Sequence, residues 1–417
     1  MIKKLVAFSI IFLYFFSLFT FPGERVLDVN SWRLYLFSIL NLASLTFIYF
    51  DFEMNLEFRK VVKSKISIII GLYFLWALAS YLYAINPTEV LIRSTYIINF
   101  YITFVVFWVF IRFLNITHYQ IAVFFLISSI IQIYPSYSNY LKIIQVEPYN
   151  NNFNKEIMGF YFNRNITAIN YLLHLQFVIY LFTKTKNSLI KAITFIVSFL
   201  ILYIVFILAS RTAILSVIIM CSFYFASYLY ERKKFKDIVK SQFGISIITL
   251  ILALTLSITN LGTSSDANPV NRLNSISVDE QSTNGRLRYY AQSKDLFLEN
   301  PILGLGLGGW KIKSVDTDKE NILSYIIPYT VHNDFLENAV ELGLLGLILF
   351  SLIFILPVFR ILKNYNEDQN SFSLCLLLIM IIYLIDSNLN FPAIRASQLF
   401  YLAIFINLVY YDVKSKI

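Results

Sequence analysis

Charge is scarce in this chain, and so are the residues that build metal sites and disulfides. Only 14% of its 417 residues are charged, whereas a soluble domain carries about 25%. Cysteine occurs twice, at Cys221 and Cys375. Both lie inside apolar runs, where a thiol acts as a small inert core group, so no disulfide framework is implied. The three histidines, His118, His174 and His332, are far apart in sequence. They form no cluster with metal-ligand spacing, and neither a metal nor a cofactor is expected. Segments of about ten residues with alternating polarity are also missing, which excludes a membrane β-barrel.

Apolar residues fill the space, at 58% of the chain. Spanning a bilayer takes about 20 mostly apolar residues. The runs predict an all-α, polytopic integral membrane protein with about twelve spans, near 5–21, 34–50, 66–83, 95–113, 119–134, 166–182, 189–209, 212–230, 243–259, 344–358, 373–389 and 397–411. The seventh and eighth, as one helix, would run about 63 Å, twice the hydrocarbon thickness, so the chain must turn near Ser210-Arg211. The N-terminus, Lys3-Lys4 followed by Leu5 to Phe21, mimics a signal peptide. Its apolar part is long for one, and "TFPGERV" lacks small residues at a cleavage point, so it reads as the first span.

Net charge is +9. The basic residues lie in the gaps between apolar runs, a pattern of topology signals and headgroup contacts that argues against nucleic acid as a partner. Lys3, Lys4, Arg59, Lys60, Lys63, Lys65, Arg112, Lys184, Lys186 and Lys191, with the cluster Arg232 to Lys240, fall on one side. The short segments on the other side hold fewer. The expectation is a single membrane domain over 1–417 in a cytoplasmic membrane, with both termini cytoplasmic and one long extracytoplasmic loop, 260–343, between spans nine and ten.

That loop begins with an Asn/Ser/Thr-rich stretch expected to be mobile. "RLRYYAQSKDLFLEN" (286–300) follows and predicts a helix with Tyr289, Leu296 and Phe297 near one face, ended by Asn300-Pro301. "GLGLGG" (304–309) has no strand before it and reads as a flexible connector rather than a phosphate loop. The D-x-D at Asp316 and Asp318 stands alone among lysines and is not read as a metal-nucleotide site.

The candidate site residues gather where helices begin on the outward side. Arg33, Arg93, Arg164, Arg211 and Arg395 precede or open outward-starting spans, and His332 precedes another. Helix N-termini attract anions, so cations grouped there suit a shared anion such as a lipid diphosphate. For Arg33 and Arg93 the plainer reading is contact with ordinary lipid phosphates. Arg286 and Arg288 join them from the loop helix, where a solvated face is the plainer reading. Asn165 binds substrate or caps its helix. His332 is the candidate for proton chemistry, because a neutral imidazole can take a proton from an attacking hydroxyl. Asn333, Glu337 and Glu341 share one helix face by their four-residue spacing, and orient the histidine, bind sugar, or simply cap and hydrate the helix. Tyr289, Tyr290 and Trp310 offer faces for sugar stacking, although aromatic belts are common at interfaces.

Taken in order, "ILASRTAIL" (207–215), "NGRLRYYAQSKDLFLENPILGLGLGGW" (284–310) and "HNDFLENAVELGLLGLILF" (332–350) resemble the O-antigen ligase / O-antigen polymerase family. "FNRNITAIN" (162–170) resembles an earlier Asn-containing segment of the same family. The resemblance covers the middle and C-terminal half and implies a multi-span glycosyltransferase of the GT-C type. Such an enzyme moves glycan from an undecaprenyl-diphosphate carrier at the outer face of the inner membrane, without nucleotide sugar or metal. By the same resemblance Arg211 and Arg286 hold the diphosphate and His332 is the base. The implied partners are a lipid-linked oligosaccharide donor, a saccharide, lipid-core or protein acceptor, and membrane lipids. The rival reading is a polysaccharide or small-solute transporter of flippase type. It is disfavoured because transporters place ionisable groups near the midplane, whereas these crowd at one face.

Overall fold

The computed structural model describes residues 1–21, 28–230, 236–261, 281–322, 327–368 and 371–411. Most of the stretch expected to be mobile lies outside the described residues, as do Arg25 and the lysines and arginines at 232–234, 414 and 416. The described chain is helical and contains no strand. The helices are α1 (Ile2–Ser17), α2 (Val29–Phe50), α3 (Phe52–Val62), α4 (Lys65–Ala79), α5 (Pro87–Leu114), α6 (His118–Val146), α7 (Arg164–Lys184), α8 (Ser188–Ile207), α9 (Arg211–Tyr230) and α10 (Lys236–Leu261). They continue with α11 (Gln281–Glu299), α12 (Trp310–Thr317), α13 (Asp334–Asp368), α14 (Ser371–Leu389) and α15 (Ala396–Val409).

Ten of the described helices are long and apolar enough to cross a membrane. The two remaining expected spans are α1 and α15, of 16 and 14 residues. The protein is therefore a multi-pass membrane protein. Local chemistry sets its helix starts. Asp28, Asn86, Thr117 and Asn187 each accept backbone amides at the first turn of α2, α5, α6 and α8, which satisfies donors that the helix itself leaves unpaired. Between α8 and α9 the helix breaks at Leu208-Ala209-Ser210, with Ala209 at φ 49°, close to the turn expected there. α3 is an extra short helix that the apolar runs do not show, because its 11 residues mix Phe and Leu with Glu, Arg and Lys.

The chain packs as two compact units. One comprises 1–115, 278–360 and 386–412; the other comprises 116–277, 361–385 and 413–417. In the first, Phe400 of α15 stacks on Phe37 of α2 at 5.1 Å and meets Phe107 of α5 edge-on at 5.4 Å. A polar knot joins α1, α2 and α5: Tyr14 and Thr103 donate to Asn41 Oδ1, and Asn41 donates to Asn99 Oδ1 at 2.8 Å. In the second, Phe125 of α6 stacks on Phe177 of α7 at 4.0 Å, and Tyr224 of α9 donates to Gln176 of α7 at 2.8 Å. In both units these polar side chains satisfy one another where lipid offers no partner.

Within the first unit, α13 is broken at Gly343, whose φ 65° and ψ −165° are not helical. An arm of residues 334–342 thus meets the apolar arm 344–368 at a kink. The kink falls at the start of the span expected at 344–358, where the ionisable residues of 334–341 give way to an uncharged run. The glycine-rich segment is not a flexible connector, correcting the expectation. Leu305 and Gly306 donate their amides to the carbonyls of Val340 and Glu341 at 2.9 and 2.8 Å, and Leu344 donates to Pro301 O at 2.8 Å. The segment satisfies the carbonyls exposed where the first arm ends. A Cβ on Gly306 would lie 2.3 Å from Ala84 Cβ, so the loop seats against the turn before α5.

Candidate functional site

The site in the first unit is built on the turn that starts α13. Asn333 caps the helix, its Oδ1 accepting the amides of Phe335 and Leu336 at 3.0 and 3.1 Å. Capping, one of the plain readings of its spacing, is what Asn333 does. His332, one residue earlier, has φ 61°, a left-handed conformation unusual outside glycine and seen most readily for Asn, Asp and His. The turn is held from both sides. Tyr290 of α11 places its hydroxyl 3.2 Å from the carbonyl oxygen of His332 and 3.1 Å from that of Asn388. Phe391 meets the imidazole edge-on at 5.0 Å.

The imidazole stands among cations. Burial first, and then the charges of Arg286 and Arg395, push the His332 pKa down to about 4. The ring is therefore neutral near pH 7, as a proton acceptor must be. Its Nδ1 is buried and has no hydrogen-bond partner among the described residues. Arg395 lies 4.7 Å over the Phe391 ring, so one aromatic side chain touches both the imidazole and a guanidinium. Asp386, 2% exposed, accepts from Asn390 at 2.6 Å and lies within electrostatic reach of Arg286 and Arg395. Asp334 is also buried, with Oδ2 accepting the amide of Ala393 at 3.2 Å.

Glu337 and Glu341 face a partner that their spacing could not reveal. Arg93 of α5 donates from Nη1 to Glu337 Oε1 at 2.6 Å, with Glu341 Oε2 at 3.8 Å and Glu89 Oε1 at 3.6 Å from its Nε. Lys311 meets the other side of Glu89 at 3.3 Å. The second oxygen of Glu337 accepts the amide of Val331 at 2.9 Å, and Glu341 Oε1 accepts that of Trp310 at 3.2 Å. Hydration of an exposed helix face is thereby excluded for both, and the largely covered Arg93 sits among carboxylates rather than at lipid headgroups. Arg33 departs in the same way: it is 3% exposed and donates to Leu18 O at 2.8 Å.

Arg288 is engaged elsewhere, forming a two-pronged pair with buried Asp318 through Nε and Nη2, the latter at 3.0 Å. That hydrogen-bonded carboxylate raises the Arg288 pKa. The guanidinium expected to hold a diphosphate thus anchors α11 to the segment after α12, and one acid of the D-x-D is committed to it. Trp310 is wholly buried and donates to Pro328 O at 3.1 Å. It packs in a core with Leu296, Leu305, Val331 and Val340, flanked by Tyr289 and Phe297, so it is not free to stack on sugar. This core also fulfils the face predicted for the loop helix.

The second unit holds Arg164, Asn165 and Arg211. Asn163, not Asn165, caps α7, accepting the amides of Asn165 and Ile166 at 3.0 and 3.3 Å. The side chain of Asn165 instead accepts from Ser210 Oγ at 2.9 Å, so the start of α7 and the residue before Arg211 come together. His174, fully buried, lies 3.3 Å from Ser129 Oγ, and His118 stacks on Phe372 at 3.8 Å; both serve packing.

These features define a multi-pass helical membrane protein with a polar site, cationic around a neutral imidazole, at the start of a broken helix. The family model described as O-antigen ligase matches residues 196–351, so this segment is similar to that family. The match takes in Arg211, Arg286, Arg288, His332, Asn333, Glu337 and Glu341, and leaves out Arg93, Arg164, Asn165, Asp386 and Arg395. An uncharacterised protein of Haemophilus influenzae is 26% identical over 172 residues, covering 37% of this chain and 43% of that protein's length. Sequence reading did not single out Asp386, and it listed Arg93 and Arg395 only among the cations at helix starts, without their partners here. The only signal for Arg93 and Arg395 was an arginine at a helix start, and the only signal for Asp386 was an acid in an otherwise apolar run.

Proposed function

We propose that the protein transfers a glycan from an undecaprenyl-diphosphate-linked donor to a saccharide, lipid-core or protein acceptor at the outer face of the cytoplasmic membrane. The observation that carries this reading is the neutral, strained His332 flanked by Arg286 and Arg395. His332 takes the proton of the acceptor hydroxyl, and the freed oxygen attacks the anomeric carbon from the side opposite the diphosphate. The bond to the diphosphate breaks, and Arg286 and Arg395 stabilise the charge that develops on it. The product has inverted anomeric configuration, and no metal takes part. A bound diphosphate offsets both guanidinium charges, so the imidazole becomes a stronger base once the donor has arrived. Arg211, Arg164 and Asn165 of the second unit are assigned to binding lipid-linked phosphate.

The test is transfer by purified protein in detergent, supplied with lipid-linked oligosaccharide and acceptor, in the presence of chelator and without a gradient. Product of inverted configuration by NMR supports the reading. Glycan movement across vesicles with no new glycosidic bond would establish a carrier instead. In a deletion strain, loss of the chain from its lipid core marks a ligase, and accumulation of single-repeat lipid products marks a polymerase.

A further inference from the structure

We infer that Arg93 is a positioning residue for His332, acting through Glu337. The inference rests on the reading of His332 as the base and adds to it a strut that begins in another helix. The reacting side chain sits on a turn that the spanning part of α13 cannot hold, because Gly343 interrupts that helix. His332 also occupies a left-handed conformation, which is unfavourable for a residue with a side chain and persists only where the surroundings impose it. Glu337 imposes it from within the arm: one carboxylate oxygen accepts the amide of Val331, the residue before His332, at 2.9 Å. The other takes the guanidinium of Arg93 at 2.6 Å. Arg93 is in turn braced by Glu89 and Glu341, and Tyr73 and Trp76 of α4 grip the same arm, donating to Asn338 Oδ1 at 2.6 Å and Leu342 O at 2.9 Å.

The chemistry of the link is specific. A carboxylate accepts on both oxygens, whereas an amide presents one acceptor and one donor. In Glu337→Gln, either Arg93 or the Val331 amide must face an N–H group, and one half of the strut is lost. In Arg93→Lys the charge remains but the planar fork does not. Loosening the turn admits water around the imidazole. The charged groups that act on His332 there are Arg286 of α11 and Arg395 before α15, with the Tyr290 hydroxyl at its carbonyl; Asp386 of α14 lies within reach of both arginines, and Asp334, two residues on, holds the amide of Ala393. With their charges unchanged, less burial moves the His332 pKa up toward the ordinary value.

The experiment measures initial transfer rates of the full-length protein with lipid-linked oligosaccharide for Arg93→Lys, Glu337→Gln and His332→Ala, and for Arg93→Lys combined with His332→Ala. Thermal unfolding in detergent confirms that each variant is folded. The expected result for Arg93→Lys and Glu337→Gln is kcat lowered about tenfold to a hundredfold, the scale of a displaced catalytic group, with the donor KM within about twofold. The acid limb of kcat/KM should shift to higher pH, and Arg93→Lys should add no further loss to His332→Ala. Wild-type kcat and an unmoved acid limb in Arg93→Lys, with His332→Ala inactive, overturn the strut alone. So does a raised donor KM at unchanged kcat, which would make Arg93 a substrate contact. If Arg93→Lys does not fold, Glu337→Gln decides by the same readouts. Wild-type activity in His332→Ala overturns the base, and the strut's role with it.

Discussion

Ser210 donates its hydroxyl hydrogen to the side-chain oxygen of Asn165 at 2.9 Å. The bond joins two motifs 45 residues apart and sets the break before α9 against the first turn of α7. Each motif carries an arginine, Arg164 on one and Arg211 on the other. A double-mutant cycle of Asn165→Ala and Ser210→Ala should give a coupling of about 1 kcal/mol in thermal stability, as expected for a hydrogen bond between neutral groups. Additive losses would mean that the two side chains do not act as a pair.

Transfer by His332→Ala should fall by a factor of about 10² to 10⁴, the usual worth of a general base. In the wild type, the acid limb of kcat/KM reports the free enzyme and belongs near pH 4, where His332 gains its proton. The acid limb of kcat reports the donor complex and should lie at higher pH, because the diphosphate offsets Arg286 and Arg395. Coincident limbs would argue against a donor anion beside the imidazole.

The same histidine makes stability depend on pH. Its folded pKa is about 4 against an ordinary value of 6.5, so the unfolded chain binds more protons between those limits. The contribution is full above about pH 6.5 and is lost as pH falls toward 4. Unfolding of His332→Asn in detergent should therefore show a flatter pH dependence across that window than the wild type.

Gly343→Ala should destabilise the protein strongly. The added Cβ would sit 2.1 Å from Ile302 O in a conformation at φ 65°, combining a clash with a left-handed backbone; the expected loss is roughly 2 kcal/mol or more. Gly71 in α4 is the matched comparison, since nothing lies within 4 Å of its added Cβ. Gly71→Ala should leave thermal unfolding unchanged or raise it slightly.

Two arginines should separate cleanly. Arg288→Gln breaks the pair with buried Asp318 and should lower thermal stability, with little change in donor KM for the folded fraction. Arg395→Gln removes a cation that faces His332 without an ion pair among the described residues. It should raise the donor KM about tenfold or more, in line with loss of a charged contact to phosphate. The reverse pattern in the two KM values would exchange their assignments.

Much of the architecture was legible in the residues. Apolar length alone located every expected span on a helix, because in lipid the backbone must pair with itself. The loop helix after residue 281 was legible from the spacing of Tyr289, Leu296 and Phe297. The His332 motif was legible because an imidazole before an apolar run is rare in so uncharged a chain. Other parts were not. "GLGLGG" read as a flexible connector because glycine spacing does not show the carbonyls of Val340 and Glu341 waiting for its amides. Arg288 and Arg286, two residues apart on one helix, look equivalent in sequence; only the fold gives one of them to Asp318.

The sequence by itself determined that this is an all-helical membrane protein, where its expected spans fall, and which family its middle segment resembles. These follow from hydropathy, capping chemistry and motif order, all of which act over short distances along the chain. Tertiary structure alone decided which charges are paired. Arg93 and Glu337 are 244 positions apart, and no periodicity connects them. A buried charge is tolerated only beside a partner, and that partner is chosen by how the helices pack, not by what stands next to it in the chain.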